Sequence, residues 1–346
     1  MAPSPPRSPH DRFAFDRTFR SARTLRHEPR PVSRPKAAAP ARPTDATIVR
    51  GRVVEAFGRH YTVEFPDGSR RQCYPRGKRG AAAVGDVVDI AIEGKAEGAI
   101  NTIVPRRNLL YRSDDFRTKQ FAANVDQLLI VVATEPDFAD DLVGRALVGA
   151  WSANISPCVI LNKVDKVTRL PAARQRLARI AALGVPVIEL SAHDIDATRA
   201  TLAPRLAGVT TLLLGQSGMG KSTLLNALIP EAAAPTQEHS IALGAGRHTT
   251  TSTRLYHLPD ALAPGGDLID SPGFQAFGLQ HLTPEDIVNG FPEFKPFTEQ
   301  CRFYNCTHRH EPGCGVLDAL KRGEISEYRH ALYMRVLAEN ESAVRY

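Results

Sequence analysis

Apolar residues change their spacing twice along the chain, and each change predicts a different kind of structure. Between residues 46 and 104, short runs of alternating apolar and polar residues are separated by glycine-containing turns, a pattern typical of a small β-barrel. Between 126 and 280, uninterrupted apolar runs such as Leu128–Ala133 alternate with helical stretches, which predicts a parallel sheet covered on both faces. The last segment combines a helix start at Pro284, a cysteine cluster and a final helix whose core-facing residues recur at helical spacing, namely Ile325, Tyr328, Leu332 and Val336. The fold class is therefore α/β with smaller flanking modules.

The predicted barrel carries a basic segment between its second and third predicted strands. Residues 70–79 contain five basic side chains, no acidic one, and the aromatic Tyr74, and the pattern predicts a loop there. A barrel with a basic, aromatic-bearing loop is suited to binding an oligonucleotide. An ordinary solvated hairpin loop remains the alternative.

The first 44 residues differ from the rest in composition. They contain nine prolines and no sustained apolar period, so we expect them to be disordered. They also hold the whole formal net charge of +7, because the remaining residues carry equal numbers of basic and acidic side chains. A flexible cationic tail favours a polyanionic partner, most often nucleic acid, with a merely solubilising extension as the alternative.

The apolar runs, the N-terminal composition and the placement of the cysteines indicate where in the cell the protein works. No apolar run approaches the ~20 residues of a membrane span, and the N-terminus lacks the apolar stretch of a secretion signal. The Arg-rich, acid-poor N-terminus has the composition of a transit peptide, but its prolines oppose the amphipathic helix such a peptide needs. Three of the five cysteines lie within residues 301–314 beside histidines, which indicates metal binding in a reducing compartment. We therefore expect a cytoplasmic protein without a membrane partner, acting as a monomer.

A phosphate-binding loop lies in the middle of the chain. An apolar strand at 209–214 leads into a Gly-x-x-x-x-Gly-Lys-Ser sequence and then into a helix that begins at Lys221. In this setting backbone N–H groups and the helix N-terminus point at phosphate oxygens, Lys221 reaches the β- and γ-phosphates, and the Ser222 hydroxyl ligates Mg²⁺. The predicted nucleotide contacts here are Gly215, Gln216, Ser217, Gly218, Met219, Gly220, Lys221, Ser222 and Thr223.

Two further segments predict that the base is guanine. Asn162, Lys163 and Asp165 follow an apolar strand, and the carboxylate of Asp165 is suited to accept from the N1–H and the amino group of guanine. Lys163 is expected to lie over the base plane and Asn162 to tie the loops together. Ser191 and Ala192 follow the next strand, where the Ala192 N–H is predicted to donate to guanine O6.

The switch elements come later in the chain. Asp270 and Gly273 form an Asp-x-x-Gly sequence after a strand, with Asp270 on the Mg²⁺ side and the Gly273 amide directed at the γ-phosphate. The segment 246–251 offers threonine hydroxyls for the metal. Thr250 is our predicted ligand, although the sequence does not choose between Thr249, Thr250 and Thr251.

These elements occur in an unusual order, since the base-recognition segments precede the phosphate segments. The chain therefore resembles the circularly permuted GTPases, and more closely the ribosome small subunit-dependent GTPase A family of assembly factors, over roughly residues 46–320. The basic tail (1–44) lies outside the shared region. For the rest of the chain the resemblance implies three parts: an OB-fold barrel (45–112), a permuted G domain (113–280) and a helical zinc-binding domain (281–346). It also implies that His248 orients the attacking water, because Phe274 occupies the place of the usual glutamine.

The cysteine cluster has the spacing of a metal site. Cys301, Cys306 and Cys314, together with a histidine, make a ligand set for one closed, structural Zn²⁺ per chain. The spacing leaves His308 and His310 as rivals, and the family resemblance favours His308.

The motifs predict a GTP hydrolase that requires Mg²⁺. The resemblance implies that it binds the small (30S) ribosomal subunit and its rRNA, and that it acts in late maturation with subunit-stimulated turnover. Two alternatives remain: an RNA-binding scaffold that holds a static structural nucleotide, and GTP-dependent action on another RNA such as tRNA.

Overall fold

The computed structural model describes residues 48–76, 81–93, 97–114, 117–232, 252–271 and 278–344, which all belong to one compact unit. The predicted basic tail, residues 1–44, lies outside the described residues. Within the described part of the chain, every helix is too short or too polar to traverse a lipid bilayer.

Five strands form the predicted barrel. They are β1 (Ile48–Phe57), β2 (His60–Glu64), β3 (Arg70–Pro75), β4 (Val87–Glu93) and β5 (Glu97–Ile103). They pair in the order β1-β2-β3-β5-β4, and β4 pairs back onto β1, which closes the barrel. Alternate residues point inward because side chains alternate along a strand, and the buried core is formed by residues such as Val53, Tyr61, Val63, Cys73 and Ile90. The predicted OB-fold barrel is confirmed.

The prediction of a basic loop at 70–79 was wrong for its first part. Residues 70–75 form β3, which pairs antiparallel with β2 and parallel with β5. The alternation that marks a strand is present, since Cys73 is fully buried while its neighbours on either side are not. Arginines at 70 and 71 hid this pattern. Residues 77–80 lie outside the described residues.

A two-stranded hairpin links the barrel to the rest of the chain. It consists of β6 (Leu109–Asp114) and β7 (Arg117–Ala123), which pair with each other in a separate sheet. The sequence did not predict it. The hairpin crosses the boundary expected between residues 112 and 113.

The central region is the predicted α/β sheet. Its strands are β8 (Gln127–Ala133), β9 (Ser156–Asn162), β10 (Val187–Glu189), β11 (Thr210–Gly215), β12 (Thr253–His257) and β13 (Asp267–Asp270). They lie in the order β10-β9-β8-β11-β13-β12, and all are parallel except β12. The helices between them are α1 (Asp140–Ser152), α2 (Leu170–Ala181), α3 (Ile195–Leu206) and α4 (Lys221–Leu228). The carboxyl ends of the parallel strands meet at one edge, where α/β sheets bind ligands.

The C-terminal region packs directly on this sheet domain. Its helices are α5 (Pro284–Asn289), α6 (Lys295–Thr298), α7 (Gly315–Lys321) and α8 (Glu327–Val344). Helix α8 lies close to α1, because a Cβ at Gly144 would be only 2.6 Å from the Tyr328 hydroxyl. Arg329 is 1% exposed and its guanidinium lies 4.3 Å from the ring centroid of Phe291. The two regions therefore share one hydrophobic core, in which Leu332 and Val336 are buried as predicted.

The barrel and the sheet domain are joined by backbone pairing and by ion pairs. Strand β12, which lies beside β13, also pairs antiparallel with β1 of the barrel. Across this joint, Arg52 pairs with Asp267, and the His257 ring lies 2.7 Å from Asp267 and 2.5 Å from Glu64. The hydrogen bond to Asp267, together with that to Glu64, raises the pKa of His257 to about 9.

This histidine predicts a pH-dependent contribution to stability. Its folded pKa lies above the unfolded value of ~6.5, so the stabilisation is complete below about pH 6.5 and is lost as the pH rises through about 9. Because the ring is half exposed, we expect only about 1 kcal/mol. Urea unfolding should show His257→Gln to be less stable than the unsubstituted protein at pH 6 and nearly equal to it at pH 9.5. A difference that does not change with pH would contradict this assignment.

Candidate nucleotide-binding site and metal centre

The phosphate loop has the predicted strand–turn–helix form. Strand β11 ends at Gly215 and α4 begins at Lys221. Gly220 has a φ of +87°, and a Cβ there would lie 2.2 Å from Asn162 Nδ2, so this position requires glycine. The Met219 side chain is buried and anchors the loop. Gly215 is buried as well. The remaining predicted contacts in the loop and the first helical turn are at least partly accessible, namely Gln216, Ser217, Gly218, Ser222 and Thr223.

Asn162 connects three loops at the edge of the sheet. Its Nδ2 donates to the carbonyl of Met219 at 2.9 Å. Its Oδ1 accepts from the amides of Lys163 at 2.8 Å and Ala192 at 2.9 Å. The side chain is 2% exposed, and buried amide groups stabilise a structure when their hydrogen bonds are made. One carboxamide thus fixes the phosphate loop against both base-recognition segments.

The amide of Ala192 has a different partner from the one predicted. Because it donates to Asn162, it is not available to guanine O6 while that bond is present. In the structure the Ala192 amide thus helps to hold the loop, and its contact with guanine O6 remains a prediction. The sequence could not reveal this, since the competing acceptor lies 30 residues away.

Lys163 and Asp165 both lie in the segment that follows β9 and have different partners. Lys163 Nζ donates to the carbonyls of Gly218 at 2.8 Å and Glu135 at 2.9 Å, so its stem crosses beside the phosphate loop. Asp165 is exposed, and a hydrogen bond from Ser191 lowers the pKa of its carboxyl. An ionised, accessible carboxylate in the segment that Asn162 joins to the phosphate loop is suited to accept two N–H groups from a planar base.

Lys221 and Asp270 form a buried ion pair at the ends of α4 and β13. Lys221 Nζ contacts Asp270 Oδ1, and the two side chains are 8% and 3% exposed. Removing either partner of a buried pair leaves an uncompensated charge. The two residues that were predicted to face the phosphates and the magnesium side are therefore adjacent, as the parallel strands β11 and β13 require.

The loop after β8 contributes contacts that sequence reasoning missed. Gln216 Oε1 accepts from the amide of Ala139 at 2.8 Å. Thr134 Oγ1 donates to the carbonyl of Lys163 at 2.9 Å. Thr134 directly follows an apolar strand whose carboxyl end reaches the same edge, and this position was the available signal.

Three predicted site residues lie outside the described residues. They are His248, Thr250 and Gly273. The alternative metal ligands Thr249 and Thr251 also lie outside the described residues. Their roles remain predictions.

The side chains of the cysteine cluster bring their ligand atoms close together. One ligand atom each from Cys301, Cys306, His308 and Cys314 lies within 4.8 Å of the others. His308 Nδ1 is 3.6 Å from Cys301 Sγ and 3.4 Å from Cys314 Sγ, and the two sulfurs are 3.9 Å apart. His310 is exposed and is not part of the cluster.

These distances fit a tetrahedral zinc ion. With Zn–S bonds of ~2.3 Å and Zn–N bonds of ~2.0 Å, ligand atoms are separated by about 3.5 to 3.8 Å. Burial, with the neighbouring thiols, raises the pKa of Cys306 to about 12, so the thiolate form that zinc prefers needs a nearby cation. The donor set therefore fits a closed structural site with four protein ligands and no open position.

The loop that carries His308 is held by a carboxylate. Glu311 accepts from the amides of Thr307 at 2.8 Å, Arg309 at 3.0 Å and His310 at 3.2 Å. Although burial opposes ionisation, the hydrogen bond from the Thr307 hydroxyl, followed by those from backbone amides, holds the pKa of Glu311 well below its usual range. His308 has a φ of +56°, and the carboxylate stabilises this unusual backbone, which directs the ring into the cluster.

Comparison with known proteins agrees with this architecture. The family model described as RsgA GTPase matches residues 103–280. The small ribosomal subunit biogenesis GTPase RsgA of Bordetella pertussis is 67% identical over 296 residues, which cover 86% of this chain and 98% of that protein. The protein of the same name from Burkholderia pseudomallei is 57% identical over 298 residues, covering 86% and 94%.

Two solved structures share the fold along most of the chain. YjeQ from Thermotoga maritima matches with a TM-score of 0.60 and 28% identity, over 85% of this chain and 99% of that one. YloQ, described as a circularly permuted GTPase, matches with a TM-score of 0.61 and 27% identity, over 86% and 96%. The predicted permuted arrangement is confirmed, and the chain belongs to the RsgA GTPase family.

Proposed function

We propose that this protein is a GTPase of small ribosomal subunit biogenesis, which binds the subunit during late maturation and hydrolyses GTP to GDP and phosphate with subunit-stimulated turnover. The names of its relatives support the biogenesis role. The observation that carries the proposal is the position of Asn162, which joins the phosphate loop to both base-recognition segments. A bound nucleotide that contacts any of these segments would order all of them.

Guanine selection is assigned to Asp165. Its carboxylate, ionised and oriented by Ser191, accepts from N1–H and the 2-amino group, a pair of donors that adenine lacks. Lys163, held beside the loop by the carbonyls of Gly218 and Glu135, covers the base plane.

This assignment predicts a change of base preference in Asp165→Asn. Losing one charged acceptor should weaken GTP binding by about 10- to 100-fold. The asparagine amide can donate to the 2-oxo group of xanthine, so XTP binding should improve. Nucleotide titrations on the variant measure both effects, with the exposed Asp196→Asn as the matched control. Unchanged GTP affinity in Asp165→Asn would contradict the assignment.

Phosphate chemistry is assigned to the end of β11 and the start of α4. The loop amides and Lys221 stabilise the charge that develops on the γ-phosphate as water attacks. Ser222 and Thr250 would hold Mg²⁺, a hard cation that prefers oxygen ligands, with Asp270 on the same side. His248 is proposed to orient the attacking water. Lys221 must exchange its contact with Asp270 for a phosphate oxygen, and this exchange links nucleotide binding to the end of β13.

The positions of β12 and β13 suggest how nucleotide state reaches the RNA-binding parts. Strand β12 follows the threonine switch, and β13 ends at Asp270, where the second switch begins. Strand β12 pairs with both β13 and β1. A movement of either switch would therefore shift the barrel through β12. The chain after the second switch continues into the zinc-binding region. We propose that both appendages contact rRNA, the barrel through the basic residues around β3, and that the protein works in the cytoplasm.

Turnover with and without small subunits tests the proposal. We expect purified 30S subunits to stimulate GTP hydrolysis strongly and His248→Ala to abolish most of that stimulation while GTP binding is retained. Absence of stimulation would favour the alternative of an RNA-binding scaffold with a static nucleotide. Crosslinks confined to tRNA or another RNA would point to a different substrate.

A further inference from the structure

The turn between the first two cysteine ligands presents two aromatic rings to solvent. Tyr304 has a relative exposure of 103% and Phe303 of 41%. Among the described residues, six large hydrophobic side chains are exposed, and only these two are adjacent in the chain. Single exposed hydrophobic residues are common and need no explanation. A fully exposed tyrosine beside a second aromatic residue is less common, since such rings usually bury 150–250 Å².

The turn is held in one conformation at both ends. Cys301 and Cys306 belong to the metal cluster, and the Cys306 amide donates to the Phe303 carbonyl at 3.2 Å. The Arg302 amide donates to the Gly313 carbonyl at 2.9 Å, next to the ligand Cys314. The backbone that carries Tyr304 is therefore already ordered, and a partner that binds there loses little further conformational entropy.

Within the part of the chain that the structure describes, no packing role accounts for Tyr304. Among the described residues its hydroxyl has no hydrogen-bond partner, and its ring contacts no other ring. The glutamate nearest in sequence on the C-terminal side, Glu311, is directed inward to three backbone amides. The ring of Tyr304 is consequently accessible to a partner molecule.

Charge indicates what kind of partner fits. Residues 300–310 contain no acidic residue. The Arg302 guanidinium lies 5.5 Å from the ring centroid of Phe303 and has no acidic partner among the described residues, whereas Arg309 is paired with Glu341. Aromatic faces next to an unpaired guanidinium are the usual means of stacking unpaired RNA bases and contacting the adjoining phosphate.

We infer that Tyr304, supported by Phe303 and Arg302, stacks on an unpaired base of small-subunit rRNA. The inference rests on the proposed function and deepens it by naming the side chain that contacts the RNA. Tyr304 supplies the stacking face, Phe303 holds Arg302 beside it, and Arg302 contacts the backbone phosphate.

The test compares full-length, zinc-loaded variants for binding to purified 30S subunits in the presence of a non-hydrolysable GTP analogue. Tyr304→Ala should weaken binding by about 10- to 100-fold, and Tyr304→Phe, which keeps the ring, should bind within about twofold of the unsubstituted protein. Tyr304→Leu keeps apolar area but not the π-face and should behave like the alanine variant. Zinc content and GTP affinity should be equal in all variants, because the side chain touches neither site.

Ultraviolet crosslinking identifies the partner. We expect the peptide containing Tyr304 to crosslink to an unpaired nucleotide of the rRNA. A crosslink to a ribosomal protein, binding of Tyr304→Ala within twofold of the unsubstituted protein, or equal binding by the leucine and phenylalanine variants would overturn the inference. Failure of the unsubstituted protein itself to bind subunits would instead overturn the proposed function, and this inference with it.

Discussion

Lys221→Ala is expected to lower kcat/KM for GTP by about 100- to 1,000-fold. Lys221 is the first residue of α4, where we propose that the loop amides and the helix N-terminus bind phosphate oxygens. Alanine removes the cationic side chain that we propose stabilises the charge developing on the γ-phosphate. Steady-state hydrolysis, measured with and without small subunits, gives the size of the loss.

Lys221→Ala is also expected to lower the stability of the protein. A second variant separates the loss of hydrolysis from the loss of stability. Without Lys221, the carboxylate of Asp270 is buried without its cation, which typically costs 3–5 kcal/mol when a buried pair is broken. Lys221→Ala combined with Asp270→Asn removes both charges and should recover most of the stability without recovering hydrolysis, and Asp270→Asn alone measures the part of the remaining loss that comes from Asp270. The exposed Lys166→Ala serves as a control and should change neither property. Recovery of hydrolysis in the double variant would show that Lys221 acts only through folding.

Cys314→Ala is expected to reduce bound zinc from about one per chain to nearly none. Cys314 supplies a sulfur to the cluster and also caps α7, where its Sγ accepts from the Leu317 amide at 3.5 Å. The segment from Cys301 to Cys314 has little regular structure of its own, so a metal ion bound by the cluster would contribute much of its stability. Because this segment leads into α7 and α8, which pack into the hydrophobic core shared with the sheet domain, we expect Cys314→Ala to unfold at a lower temperature than the unsubstituted protein.

Elemental analysis and thermal unfolding measure these effects, and His310→Ala is the matched control. His310 is exposed and outside the cluster, so its replacement should leave zinc content and melting unchanged. GTP binding should survive in Cys314→Ala, since the nucleotide site is built on other elements. Full zinc occupancy in Cys314→Ala would contradict the assigned ligand set.

Local patterns predicted the parts of the molecule that depend on short segments. The phosphate loop, the segment after β9 and the cysteine spacing each place their side chains within one turn or loop, so residue type and spacing suffice. Parallel strands then bring Asn162, Gly215 and Asp270 to one edge of the sheet, as their positions at strand ends required.

What the sequence missed depends on partners distant in the chain. The strand character of β3 was masked by arginines that face solvent, one of which pairs with Glu64. The partner of the Ala192 amide and the pairing of β12 with β1 join segments 30 and about 200 residues apart. Such contacts are set by how the elements pack, and one sequence contains no local signal for them.

The most direct test of the central claim is the affinity of the full-length protein for small ribosomal subunits in its two nucleotide states. If the phosphate site controls the RNA-binding appendages through β12, β13 and the second switch, subunits should bind about 10-fold or more tightly with a non-hydrolysable GTP analogue than with GDP. Equal affinity in the two states would contradict the claim.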